Sequence, residues 1–225
     1  MSDQVYLNGQ YLERSRACIP VMDRGFLFGD GVYEVIPVYQ GHPFRLEQHL
    51  DRLEDSLTAV ELPNPLGREQ WAEVFRRVVE ANGGGDQGLY LQVTRGAADK
   101  RNHAFPDGVE PTVFVMTTPI PAPDLEQPGI EAATVEDIRW LRCDIKSTSL
   151  LANVLLRQGA ESRGSGEAIL VRDGEAVEGA ASNLFLVMDG EILTPPKDER
   201  ILPGITRDLV VELAHQHELP CRETA

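Results

Sequence analysis

The sequence predicts an α+β fold in two domains, on two main observations. Hairpin-type strands and helices with apolar spacing occur on both sides of one proline-rich segment. That segment, "PIPAPDLEQPG" at 119–129, carries four prolines and is the clearest linker in the chain. At 225 residues there is material for one large domain or two small ones. The expected boundaries are 1–118 for an N-terminal α+β domain, 119–129 for the linker and 130–225 for a second domain.

In chain order, "QVYLNGQYLE" predicts a β-hairpin turning at Asn8-Gly9, a strong type I′ signal between alternating apolar residues. "GVYEVIPVYQGHPFRL" predicts another, turning at Gln40-Gly41, with an edge or bulge at Pro37 because proline cannot donate to the ladder. Leu46, Leu50, Leu53 and Leu57 recur at helical spacing, as do Trp71, Val74, Phe75, Val78 and Val79, and "GGG" at 83–85 ends the second helix. Strands follow at "GLYLQVTRG" and "PTVFVMTT". Beyond the linker come a strand in "IEAATVEDI", a strand-like run ahead of Lys146, and a Ser/Thr-opened helix to about Arg163. Hairpins follow at Asp173-Gly174 and Asp189-Gly190, then a helix in "GITRDLVVELAHQH".

Acidic residues outnumber basic ones 36 to 21, a formal charge of −15, which disfavours nucleic acid as a partner. No apolar run approaches a membrane span and the N-terminus has no signal design, so a cytoplasmic protein is expected. Cys18, Cys143 and Cys221 have no metal-ligand spacing and suit a reducing compartment. His215 and His217, two apart on a helix, face different ways and mark a solvated helix end; no metal is expected.

Several segments could carry chemistry. Lys146 is either a surface lysine beside a turn or a lysine kept in a pocket for covalent chemistry with a carbonyl. "DRGFLFGDGVYE", 23–34, matches neither a dinucleotide fingerprint nor a P-loop and indicates only a sharp bend before a strand. "PGITRD" puts Gly204, Ile205 and Thr206 at a helix start, where free N–H groups bind phosphate; the alternative is Thr206 as a simple cap. Glu178 in "VEGAASN" is either an exposed hairpin glutamate or a carboxylate for a ring nitrogen. Arg52 and the "KRNH" stretch, 100–103, are ordinary solvated residues unless another anion engages them. A lysine for an imine, a carboxylate for a pyridine nitrogen, and an arginine with a helix N-terminus for a phosphate together make a kit for pyridoxal 5′-phosphate.

With these pieces assembled, the chain resembles the class IV (fold-type IV) aminotransferases, and within them the branch acting on D-amino acids. The resemblance runs from "YLNG" to the last residue. It rests on "DRGFLFGDGVYEV", "EQHLDRLEDS", "QVTRGAADKRNHAFP", "VEDIRWLRCDIKSTSLLANVL", "EAILVRDGEAVEGAASNLF" and "ILPGITRD". It implies a cofactor site at the domain interface of a homodimer. Lys146 would bind the cofactor as an imine and Glu178 would pair with the pyridine nitrogen. Arg52, the N–H groups of Ile205 and Thr206 and the Thr206 hydroxyl would hold the phosphate, and Leu202 would pack on the ring. Tyr33, Arg101 and His103 match the substrate-carboxylate site, the last two coming from the partner subunit. The implied reaction is transamination of D-amino acids of the D-alanine and D-glutamate type with 2-oxo acids such as 2-oxoglutarate.

The chain departs from the family at two points. Ala180 and Ala181 stand where serines are frequent. The sequence also closes at "CRETA", at the start of an expected strand, where family members continue with a further strand and a Ser/Thr-rich loop that contacts the phosphate; a truncated or incomplete chain is expected. The alternatives are a branched-chain L-aminotransferase, an aminodeoxychorismate lyase of the same fold, and a non-catalytic homologue. The "RNH" carboxylate trap disfavours the first two, and intact Lys146 and Glu178 disfavour the third.

Overall fold

Asn8 and Gly9 both take positive φ, 46° and 87°, the mirror-image turn that matches the twist of paired strands. They join β1 (Gln4–Leu7) to β2 (Gln10–Glu13) in the predicted hairpin. This computed structural model describes residues 3–121, 126 and 128–224. The predicted linker therefore lies partly outside the described residues, at 122–125 and 127. The chain divides into two compact units, Met1–Asp124 with Lys146–Ser149 and Leu125–Ile145 with Leu150–Ala225.

In the first unit the glycine-dense segment forms a short helix, α1 (Arg24–Phe28), which resolves the bend ahead of the strand. Asp23 caps it by accepting from Gly25 N–H, and Gly29 closes it in the left-handed region at φ 67°. Asp23 is fully buried and also accepts from the Thr94 and Thr112 hydroxyls. β3 (Gly31–Tyr39) and β4 (His42–Pro43) follow, with Gln40 and Gly41 at positive φ between them. β4 pairs only with Val38 and Tyr39, and Pro37 is tolerated because its nitrogen lies on that outer side of β3, just before the paired residues, where no ladder bond is lost.

Helices α2 (Leu46–Ala59) and α3 (Arg68–Ala81) bury the predicted stripes, Leu50, Leu53 and Leu57 on one and Trp71, Val74, Phe75, Val78 and Val79 on the other. With β5 (Gln87–Thr94) and β6 (Thr112–Pro119), the described strands form an antiparallel sheet in the order β2-β1-β6-β5-β3-β4. Val32, Ile36 and Val38 alternate inward with Leu89, Leu91 and Val93 of the neighbouring strand.

The second unit holds β7 (Ala132–Glu136), α4 (Leu151–Glu161), β8 (Glu167–Arg172) and β9 (Glu175–Gly179). β7 and β8 pair in parallel, which demands a crossover, and α4 supplies it. Leu156 and Ala160 of α4 pack on Ala168, Leu170, Val177, Ala180 and Ile201. A second sheet follows from β10 (Leu186–Met188), β11 (Glu191–Thr194), α5 (Ile205–Gln216) and β12 (Cys221–Glu223), in the order β10-β11-β12. Both Asp-Gly turns adopt positive φ at both residues, as their hairpins predict. His215 and His217 are exposed at the end of α5. Among the described residues no helix is long and apolar enough to cross a membrane.

Candidate active site

Lys146 lies in the short segment that groups with the first unit, and backbone bonds fix it there. Its N–H donates to Ser56 Oγ at 3.2 Å, and its carbonyl accepts from Tyr33 N–H at 3.0 Å. Ser147 bridges Val32, and Thr148 N–H donates to Gly31 carbonyl, so residues 146–148 pair with the part of β3 that β4 leaves open. The Lys146 Nζ sits 4.2 Å from the centroid of the Tyr33 ring, a cation–π contact. This is a half-buried, positioned lysine rather than a solvated one.

Two local expectations around it need correction. The run Trp140–Ile145 is not a strand but a series of turns, with Cys143 and Ile145 buried while Trp140 and Leu141 are exposed. Nor do hydroxyls open α4, whose N-cap is Leu150 without a side-chain cap. The Thr148 and Ser149 hydroxyls instead donate to the Gly29 carbonyl, at 2.9 and 3.1 Å, so their capping chemistry goes to holding the lysine segment.

Beneath the lysine is a buried ionic cluster. Glu34 on β3 has no exposed surface and accepts from Arg52 twice, Nε to Oε1 and Nη2 to Oε2, each at 2.8 Å. His49 Nδ1 stands 2.7 Å from Oε2; an ionised carboxylate only accepts, so Nδ1 carries the proton. Burial works against the Glu34 charge, but the Arg52 and His49 bonds and the Lys146 charge prevail and hold its carboxyl below the usual value. Arg52 is thus a buried member of this cluster and not a solvated helix residue. On the other face of β3, Tyr33 tilts against Tyr90 at 5.8 Å, and burial pushes the Tyr90 phenol up to about 12.

Arg101 and His103 are exposed on the connection between β5 and β6. Both lie against one ring, Phe28: the Arg101 Cζ is 4.8 Å from its centroid and the His103 ring 5.2 Å. The two donors that sequence spacing placed on one loop are therefore brought to a common support.

In the second unit Glu178 is buried at the end of β9, which removes the exposed-hairpin reading. Its Oε1 accepts from Arg139 Nη1, and its Oε2 accepts from Asn183 Nδ2 and Leu202 N–H, both at 3.1 Å. Arg139 is in turn held by Asp137, Nε to Oδ1 at 3.0 Å, and by the Arg200 carbonyl. Burial pushes the Glu178 carboxyl above its ordinary value, against the opposing pull of Arg139 and the Leu202 amide.

Leu202 and Ile205 are half-buried and Thr206 is exposed at the start of α5, where the N-cap is Gly204. Thr206 is not the cap and no side chain caps this helix at Gly204, so its first-turn N–H groups form a positive helix end. Gly204 is needed by space: a Cβ there would meet Asn183 Oδ1 at 1.9 Å. Asn183 also donates to the Leu202 carbonyl at 2.9 Å, tying Glu178 to the approach to α5.

The family model for class IV amino-transferases matches residues 31–225. The chain belongs to the class IV aminotransferase family. It is 42% identical over 223 residues to a D-alanine aminotransferase of Bacillus licheniformis, covering 99% of this chain and 78% of that protein. It is 40% identical to the D-alanine aminotransferase of Staphylococcus aureus strain N315, covering 98% of this chain and 79% of that one. A solved branched-chain aminotransferase from Thermoproteus uzoniensis superposes with a TM-score of 0.89 at 28% identity, over 100% of this chain and 78% of that one. A branched-chain amino acid aminotransferase from Escherichia coli does so at 0.88 and 27%, over 100% and 77%.

This aminotransferase has the fold-type IV architecture, and its cofactor is pyridoxal 5′-phosphate. The residues present fit that group chemically: a positioned primary amine, a buried carboxylate for a ring nitrogen, and N–H groups at a helix start that no side chain caps. Glu34, His49, Asp137, Arg139 and Asn183 join the site without having stood out in the sequence. A signal for the first two was present. Glu34 falls in the inward phase of Val32-Glu34-Ile36-Val38, and His49, Arg52 and Ser56 form a polar line at helical spacing beside the leucine stripe. Arg139 carried no local signal, because its partner Glu178 is 39 residues away.

Proposed function

We propose that this aminotransferase moves the amino group of D-amino acids of the D-alanine and D-glutamate type to 2-oxo acids such as 2-oxoglutarate. One observation carries the reading: Arg101 and His103 converge on Phe28, giving paired donors for a carboxylate, in a chain 42% identical to a D-alanine aminotransferase. When bound, the cofactor supplies an electron sink for the bond being broken at the substrate Cα. Lys146 would hold the cofactor through its side-chain amine, and the same amine would move the proton at the substrate Cα from a fixed direction. Glu178, braced by Arg139, keeps a proton on the pyridine nitrogen. Ile205 and Thr206 N–H groups and the Thr206 hydroxyl would receive the phosphate, Arg52 braced by Glu34 would supply a cation to it, and Leu202 would pack on the ring.

Tyr33, with Arg101 and His103 of a second copy in a homodimer, pins the substrate carboxylate. A pinned carboxylate decides which Cα–H points at Lys146 and hence which enantiomer reacts. We place the enzyme in the cytoplasm, a reading supported by its free cysteines. Purified protein incubated with D-alanine and 2-oxoglutarate is expected to form pyruvate, with L-alanine and L-leucine inert. Turnover of L-leucine in place of D-alanine would reverse the assignment in favour of a branched-chain L-aminotransferase, the reading that the solved relatives support.

A further inference from the structure

Arg24, the first residue of α1, is 4% exposed, and its hydrogen bonds go to groups other than the Glu34 cluster. It reaches the Arg101–His103 loop instead. Its Nη1 donates to the Asn102 carbonyl at 2.5 Å and to the Ala104 carbonyl at 3.3 Å, and Nη2 donates to the His103 carbonyl at 3.2 Å. Its Nε donates to Asp30 Oδ2 at 2.7 Å. The same oxygen accepts from Arg95 Nε at 2.9 Å. Arg95 also donates to the Glu61 and Val60 carbonyls, and its Cζ lies 3.6 Å from the centroid of the Phe105 ring.

One carboxylate thus serves two buried guanidiniums. The surplus positive charge is satisfied by main-chain carbonyls, and three of these belong to consecutive residues of the loop. Few arrangements hold a loop more directly, since a planar fork fixes direction as well as distance. The loop residues are themselves exposed, so this buried network and the Phe28 ring define where Arg101 and His103 stand.

We propose that Arg24, bridged through Asp30 to Arg95, is a positioning residue for the substrate carboxylate: it sets the 101–103 loop and thereby affinity for the amino acid, not for the cofactor. The proposal rests on the reading of Arg101 as a carboxylate donor. Its test is therefore a cycle on the cofactor-loaded enzyme with Arg24→Lys, Arg101→Ala and both together. Arg24→Lys keeps the charge and loses the fork. It is expected to raise KM for D-alanine about threefold to thirtyfold, with kcat within about twofold and cofactor absorbance unchanged. The double variant should be less than additive, losing beyond Arg101→Ala alone only what the displaced His103 contributes, because the fork acts through the loop. An unchanged KM for Arg24→Lys beside a raised one for Arg101→Ala, or additive effects in the double variant, overturns the positioning role. A silent Arg101→Ala instead overturns the carboxylate reading, and the proposal with it. Should Arg24→Lys fail to fold, Arg24→Gln, which leaves Asp30 paired to Arg95, replaces it in the cycle, with the same KM-only effect and non-additivity expected and an unchanged KM overturning the proposal.

Discussion

Glu178 is surrounded by donors, and this decides what each substitution there does. Arg139, Asn183 and the Leu202 amide occupy three of its acceptor sites, while Asp137 holds Arg139 from behind. Glu178→Gln preserves volume and leaves Arg139 paired to Asp137, so the variant is expected to fold and bind cofactor. A neutral amide cannot keep the pyridine nitrogen protonated, and turnover should fall on the order of a hundredfold or more. Arg139→Met is the converse, leaving a buried carboxylate without its cation, and should cost about 3–5 kcal/mol of stability. Urea titration of both variants beside their turnover separates the two roles. Equal stability loss in both would show that the pair is purely structural.

At the scale of elements, β3 and α2 are joined through Glu34, whose carboxylate meets two residues one turn apart on the helix. Because its pKa in the fold lies below that in the unfolded chain, the contribution is complete above the ordinary glutamate value and is lost as pH falls through the lowered one. Asp137, pulled down by Arg139 and Arg172 against its own burial, acts with the same sign in the second unit. Glu178 acts with the opposite sign: its raised pKa makes stability fall as pH rises from the ordinary value through the raised one. Urea midpoints measured across the acid range should therefore drop at the low end for the wild type. In Glu34→Gln that low-pH drop should be shallower, and a parallel curve would mean Glu34 is protonated in the fold. Element identity itself was largely legible. Periodicity located α2 and α3 because one apolar face repeats every turn, and Asn8-Gly9 and Asp173-Gly174 located hairpins because few residues accept positive φ. The Trp140–Ile145 run misled because an apolar stretch has no period when its residues are buried singly by distant partners.

For the whole molecule, the proposed division of labour between two copies has a direct consequence. Lys146→Ala and Arg101→Ala are each expected to be nearly inactive toward D-alanine. Mixed and reassembled, half the dimers are hybrids, and one site in each hybrid would have an intact lysine facing an intact loop. Activity should return to about a quarter of the wild-type level if the loop acts across a two-fold interface. If the loop acts within its own chain, no hybrid site is whole and nothing returns.

Local sequence determined the hairpins, the amphipathic helices, the helix start at Gly204 and the family motifs in which Lys146 stands, because turn geometry, apolar spacing and helix ends are properties of neighbouring residues. Only the tertiary structure decided which charges are buried and whom they meet. Glu34 with Arg52, Glu178 with Arg139, and Arg24 with the carbonyls of residues 102–104 are partners 18, 39 and up to 80 positions apart. A buried charge is tolerable only when its counter-charge and donors arrive from elsewhere in the chain, so its role becomes readable only once the chain has folded.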